Sequence, residues 1–412
     1  MINADNPCER ICFDSRGLFC SRQVGIPHAY PDGRIYMEKL KFGMIGGGKG
    51  SFIADLHLKG ALFDGLGELA AGCFSRNREK SLEFGRMQGI AEERIYGSFR
   101  EMAEPEAKRE DPGDFVIIAA PNNVHYACAK VFLENGINVV CDKPLTHYLY
   151  EAEELKKLAK EKDLLFGVTY TYSAYPAVSF MKRMIEDGKV GEIRLVKAEF
   201  LTDNFAIPNE QLGKSMLWRL DPEVAGRSTC CGDIGVHAQN LISSVTGLEM
   251  EELSADLNVI GENRVLDTNF TATVRYKSGA KGHIWCSNVA MGKCNDLNIA
   301  VYGDKGSLSW SEESADIVVF NELSGCSVHY RMGTSFSSIG GSQMFRLPAG
   351  VSEGYYEAFA NIYRNYMTAL LNKKAGKPYE VNYPDVNCGI ESLRFVEACL
   401  ASSEQNAHWV KV

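Results

Sequence analysis

The chain has no apolar run near the ~18 residues that a helix needs to cross a bilayer. Its longest strongly apolar stretch, 115–120, is strand-sized. A basic excess is also missing: 44 lysines and arginines stand against 53 aspartates and glutamates, a net charge of −9. Nucleic-acid binding usually shows as a basic surplus or block. Neither nucleic acid nor a membrane is therefore expected as a partner. The 13 cysteines are an odd number and include no CxxC pair. Disulfide frameworks belong mainly to small secreted domains. Residues 1–20 are mixed polar and lack the apolar core of a secretory signal. These features together point to a reducing compartment, and a cytoplasmic location is expected. Cys8, Cys12 and Cys20 have no His or Cys nearby to complete a ligand set, so no metal is expected.

What is present is ordinary for a globular protein: 412 residues, 45% apolar and 24% charged. At roughly 100–200 residues per domain, two domains are expected. Residues 1–36 show no clear periodicity and form an extension of unknown role, and Met37, just before the first strand, reads as an alternative start. From residue 40 strands and helices alternate. Strands are expected over 40–45, 68–74, 115–120, 138–141 and 164–170, and helices over 52–62, 79–88, 123–134 and 150–162. The nearly all-apolar 115–120 suits a parallel strand buried on both faces. The alternation predicts a doubly wound parallel α/β sheet, and 37–172 is assigned to it.

Beyond Pro176 the texture changes. A helix over 177–187 precedes strands over 193–201, 253–260, 268–276, 282–288, 297–302 and 307–310. Turn chemistry such as Lys277-Ser278-Gly279 joins them. Helices return over 355–372 and 384–402. Residues 173–412 are expected to form an α/β domain with a large, mostly antiparallel, open sheet.

Chemistry-bearing residues cluster where such a sheet takes its ligands, at the C-terminal ends of the strands. Gly46-Gly47-Gly48-Lys49-Gly50-Ser51 links the first strand to the first helix. Glycines there admit a pyrophosphate to the backbone, and the helix N-terminus offers unpaired N–H donors. Gly46 and Gly48 are the expected contacts. At the end of the second strand a carboxylate would favour NAD by accepting from the ribose 2′-hydroxyl. Here stand Ser75 and Arg76 instead. A guanidinium suits a 2′-phosphate and leans the choice between NAD and NADP towards NADP; a solvated surface arginine is the plain alternative. Cys141-Asp142-Lys143-Pro144 places a lysine at a strand end, where it can donate to a substrate oxygen. Asp233 and His237 are four apart and share a face if a helix covers them. A carboxylate there would orient the imidazole for acid–base work. Ala120-Pro121-Asn122-Asn123-Val124-His125 follows the most apolar strand, with Asn123 as a candidate helix cap.

In this order, the pieces resemble the Gfo/Idh/MocA family, which includes glucose-fructose oxidoreductase and inositol dehydrogenase. The carriers are Gly46-Gly47-Gly48, Ala120-Pro121-Asn122 with His125, Asp142-Lys143-Pro144, Trp218-Arg219, Asp233 with His237, and Gly303-Asp304-Lys305-Gly306-Ser307. The resemblance runs from about residue 40 to the C-terminus. It implies a Rossmann domain, a second domain with an open sheet, and a homodimer or homotetramer packed through that sheet. It also implies that Lys143, Asp233 and His237 are catalytic. In that reading His237 moves the proton of a sugar hydroxyl, Lys143 holds the oxygen and Asp233 orients the pair. The cofactor contacts it implies are Gly46, Gly48, Lys49, Ser51, Phe52, Ser75, Arg76, Ala120, Pro121, Asn122, His125, Asp142 and Lys143. A polyhydroxylated substrate would meet Tyr172, Arg219 and Asn240. The chain departs from the family pattern in three places: Asp142 replaces the usual glutamate, the spacing from Gly46 to His57 is longer, and 170–175 is rich in tyrosine. Two other functions stay open: NAD-assisted glycoside cleavage by transient oxidation and elimination, and a non-catalytic nucleotide-sensing regulator.

Overall fold

The computed structural model describes residues 39–334 and 345–412, with two short strands, Pro27–Ala29 and Ile35–Met37, paired antiparallel before them. Cys8, Cys12 and Cys20 lie outside the described residues.

Five strands, β1 (Leu40–Ile45), β2 (Gly67–Cys73), β3 (Phe115–Ile118), β4 (Asn138–Cys141) and β5 (Phe166–Val168), form a parallel sheet in the order β2-β1-β3-β4-β5. Every residue of β3 is buried, because it lies between β1 and β4 and is covered on both faces. The helices α1 (Phe52–Leu62), α2 (Arg78–Met87), α3 (Phe99–Ala107), α4 (His125–Glu134) and α5 (Leu149–Glu161) connect the strands. Beyond β2 an isolated parallel bridge joins Gly72 to Ile95, and Tyr96 N donates to Gly72 O at 2.8 Å. With that bridge counted, the order is that of a dinucleotide-binding sheet whose third strand is reduced to one residue. The sequence pattern carries no sign of it, because Ile95 and Tyr96 are an isolated apolar pair in a polar stretch.

The second sheet has nine described strands. In chain order they are β6 (Ile193–Leu201), β7 (Met250–Asn258), β8 (Asn269–Tyr276), β9 (Lys281–Ser287), β10 (Asp296–Gly303), β11 (Gly306–Ser311), β12 (Ile317–Glu322), β13 (Ser327–Arg331) and β14 (Val410–Lys411). Their spatial order is β13-β12-β11-β10-β6-β9-β8-β7-β14, and only β6 with β9 is parallel. Along β6, Val196, Ala198 and Phe200 face the core. Helices α6 (Pro176–Glu186), α7 (Val236–Thr246) and α9 (Val386–Glu404) cover that side. The other face is open, with Leu195 and Tyr302 exposed on it as register partners. The β12–β13 hairpin is not among the expected strands; on its outward side Asn321, Ser327, His329 and Arg331 stand beside Ile317 and Val319.

Helix α8 (Tyr355–Lys374) turns back onto the first domain, and its Phe359, Tyr363, Tyr366 and Met367 share one apolar cluster with Leu40, Phe42 and Phe115. The two halves are therefore locked together. Among the described residues no helix is long and apolar enough to cross a membrane. Asp64, between α1 and β2, strengthens the lock. Its carboxylate accepts paired bonds from Arg346 (2.9 and 2.6 Å) and from Arg364 (2.9 and 2.6 Å). Burial alone would raise its pKa, but the two guanidiniums outweigh burial and hold it below the usual carboxylate range. A depressed folded pKa stabilises the fold above the unfolded value, and that stability is lost as pH falls through the folded one. Asp64→Asn is expected to cost about 2 kcal/mol at pH 7, since it leaves two half-buried guanidiniums on one neutral amide. Urea denaturation checks this, and the gap to the wild type should shrink below about pH 4.

Candidate active site

The crevice opens where the strand order reverses, between the C-terminal ends of β1 and β3. Gly46 and Gly47 leave β1 with φ of +87° and +93°, a region that side chains rarely adopt. A Cβ on Gly46 would fall 2.2 Å from Ala119 O beyond β3. Gly48 N donates to Phe74 O at 3.0 Å, so the turn is also pinned to the end of β2. Ser51 caps α1 without a side-chain hydrogen bond, which leaves the first-turn N–H groups available. Lys49 and Phe52 are exposed beside it. A backbone open to close approach, next to a helix N-terminus with free donors, fits a pyrophosphate. Beyond Phe74, Ser75 Oγ accepts from Asn77 N at 3.1 Å, and Arg76 is exposed.

At the end of β4 the Asp142 carboxylate turns inward. Its Oδ1 accepts from Lys143 N at 2.9 Å and from Thr169 Oγ1, beyond β5, at 2.8 Å. Burial alone would raise the Asp142 pKa, but His57 and the Lys143 ammonium beside it hold it well below the usual range. Asp142 therefore braces Lys143 from within through Oδ1. Lys143, at the cis peptide to Pro144, reaches the second domain. Its Nζ donates to Asp233 Oδ1 at 2.5 Å and to Asp233 O at 2.9 Å. An ammonium has three protons, so one is left.

Asp233 lies in a wide π-turn, Cys230–Gly235, that leads into α7. Asp267, far along the chain, builds that turn: its carboxylate accepts from Thr229 N at 2.9 Å and Cys231 N at 2.8 Å. Their spacing in the sequence predicts Asp233 and His237 on one helical face, with the carboxylate orienting the imidazole. The π-turn breaks that alignment. Asp233 accepts instead from Lys143 and, through Oδ2, from Arg219 Nε at 3.1 Å. Burial would raise its pKa, yet those two cations keep the carboxyl well below the usual range. His237 is 5% exposed, and its Nδ1 has no hydrogen-bond partner. Burial first, then the Lys143 charge, lowers its pKa to about 3. The imidazole is therefore neutral at physiological pH and able to accept a proton.

The remaining expected contacts divide. Ala120 and Pro121 line the exit of β3, where Ala120 O meets His125 Nε2 at 2.9 Å. His125 is fully buried, and its Nδ1 meets Pro144 O at 2.8 Å. Held between two backbone carbonyls, it ties the β3 and β4 exits together and offers a cofactor nothing. Asn122 is buried too, and its amide donates to Ala225 O at 3.2 Å. Asn123 caps no helix: a 3-10 turn, Asn122–Val124, precedes α4, and the Asn123 amide reaches Glu223 O at 3.3 Å. Both asparagines dock the second domain onto the first. Arg219 stays at the cleft, half-buried against Asp233 and stacked on Trp218. Tyr172 is buried, edge-on to the His237 ring at 4.9 Å, with its hydroxyl donating to Asn295 Oδ1 at 3.0 Å. Asn240, one turn past His237, is buried and accepts from Ser244 Oγ at 3.4 Å. Neither has an open face for a sugar. Thr169 and Asp267 carry no local pattern, and His57 enters the sequence pattern only through its spacing from Gly46, with no role attached.

Residues 40–170 match the model of the oxidoreductase family with an NAD-binding Rossmann fold, and residues 178–309 match the GFO/IDH/MocA C-terminal domain. The uncharacterised oxidoreductase YfiI of Bacillus subtilis is 33% identical over 92% of this chain and 98% of its own length. An inositol dehydrogenase homologue from Azotobacter vinelandii, solved with NAD+, superposes with a TM-score of 0.88 at 32% identity over 91% of this chain and 98% of that one. The same homologue with NADH and myo-inositol gives 0.85 at 31% identity, again over 91% and 98%.

His237 should not titrate between about pH 5 and 8 in an NMR-followed titration. Lys143→Met removes one of the two leading causes of the depression and should move the His237 pKa upward. An unchanged value in the variant would mean that the lysine charge does not reach the ring.

Proposed function

The chain belongs to the Gfo/Idh/MocA family of oxidoreductases, and we propose that it moves a hydride between a nicotinamide dinucleotide and a secondary alcohol or ketone carbon of a sugar, glycoside or cyclitol. One observation carries the reading. The Lys143 ammonium, with one proton left, and the neutral His237 imidazole lie beside the same ionised carboxylate, at the C-terminal ends of the parallel strands.

In oxidation, His237 accepts the hydroxyl proton as the carbon gives up its hydride. In reduction it returns that proton. Lys143 donates its remaining hydrogen bond to the same oxygen and stabilises the negative charge that develops there. Asp233 stays ionised, fixes the lysine and accepts from Arg219. Gly46, Gly48 and the start of α1 would hold the pyrophosphate, and the bound cofactor supplies the hydride acceptor or donor. We read Ser75 and the exposed Arg76 as set for a 2′-phosphate, and so for NADP over NAD. We also propose that the open face of the second sheet packs on a second copy, because the exposed pair Leu195 and Tyr302 gives it an apolar centre.

Titration with NADPH and NADH, followed by a screen of polyols and ketoses, tests the reading. Lys143→Ala and His237→Ala should each lower kcat by about 100-fold or more, with cofactor affinity kept. Intact turnover in both variants would remove the catalytic assignment. Tighter NADH binding would make Arg76 a surface residue. Release of a leaving group without net change in cofactor absorbance would replace net redox with transient oxidation. Sedimentation should give a mass of two or four chains, and Leu195→Glu should lower it.

A further inference from the structure

His57 takes no part in the chemistry above, yet it is fully buried on α1. The rings of Phe359 and Tyr363 on α8 stand edge-on to it, with centroids 5.1 and 6.1 Å away. Its Nδ1 lies 2.6 Å from the Tyr363 hydroxyl. Its Nε2 has no hydrogen-bond partner and stands 3.6 Å from Asp142 Oδ1. That oxygen already accepts from Lys143 N and Thr169 Oγ1.

The network assigns the tautomer. A proton on Nδ1 would leave the bare Nε2 lone pair facing an ionised carboxylate in a buried site, an uncompensated repulsion. With the Tyr363 hydroxyl donating to Nδ1, the proton sits on Nε2 and points at Asp142. Three N–H or O–H groups, from α1, from beyond β5 and from the main chain of Lys143 itself, then converge on one oxygen. Asp142 directly precedes Lys143, so the seat of its carboxylate sets the path of the chain into the lysine. The side chain is one methylene shorter than glutamate, and it meets its partners close to the backbone.

We propose that His57, held in its tautomer by Tyr363, is a positioning residue. It acts through Asp142 to keep Lys143 aimed at Asp233 and at the substrate oxygen. This inference rests on the proposed hydride transfer.

The test compares His57→Leu, His57→Gln and Tyr363→Phe. Glutamine can restore an N–H towards Asp142, whereas leucine only fills the space. Folded His57→Leu should lose about tenfold to a hundredfold in kcat, the scale of a small misplacement of a reacting group, with the cofactor dissociation constant unchanged. His57→Gln should recover most of that loss. Tyr363→Phe, which removes one oxygen and leaves the packing, should fall between wild type and leucine. Equal kcat in wild type and folded His57→Leu, or equal losses with leucine and glutamine, overturns the proposal. Wild-type protein that binds cofactor but turns over nothing in the screen fails the hydride-transfer reading instead. The 15N spectrum of the imidazole then tests the coupling alone: a proton on Nε2 supports it, and one on Nδ1 overturns it.

Discussion

A single ammonium–carboxylate contact, Lys143 to Asp233, joins the two domains at the point where the chemistry is proposed to occur. The lysine comes from the end of a parallel strand, and the aspartate from the π-turn before α7. Neither charge could sit there alone, because the cost of desolvating an unpaired ion exceeds what the surrounding contacts return. The pair therefore sets how closely the domains approach. It also leaves one lysine proton pointing nowhere else, and a substrate oxygen can use it.

Burial, and after it the charge of Lys143, decides the protonation of His237. The ring is buried beside Lys143, whose charge acts against the opposing carboxylates of Asp233 and Asp142, and it sits in the first turn of α7, where the helix dipole also disfavours positive charge. Burial and the lysine charge act in the same direction and hold a neutral base. An aspartate hydrogen-bonded to the ring would have opposed this by stabilising the imidazolium. Directing Asp233 to the cations and away from the imidazole separates two tasks that one side chain could not perform well together.

Much of this was legible from local pattern. The all-apolar β3, the glycine turn, and a lysine at a strand end before proline each follow from rules that act over a few residues. The long strands of the second sheet show in their alternation, and a family resemblance supplied the pairing of Lys143 with Asp233 and His237. Harder to see were elements made by one partner reaching another. Ile95 extends the first sheet through a single bridge, and β12 and β13 form an edge hairpin of short strands. The bridge leaves no periodic signal, and the hairpin strands are only six and five residues long.

Composition, period and turn chemistry were enough to set the fold class, the two-part organisation and the strand ends that carry the functional groups, because backbone geometry repeats every few residues and leaves its period in the chain. Which atoms those groups touch was decided only by the tertiary structure. Asp233 turns to Lys143 because Asp267, from a distant loop, shapes the turn beneath it. His125 and Asn122, read as cofactor contacts, instead bind backbone carbonyls. Tyr172 and Asn240 are sealed in the core behind His237, where a substrate was expected to meet them. A hydrogen bond depends on distance and angle between residues far apart in the chain, and no local rule carries that information.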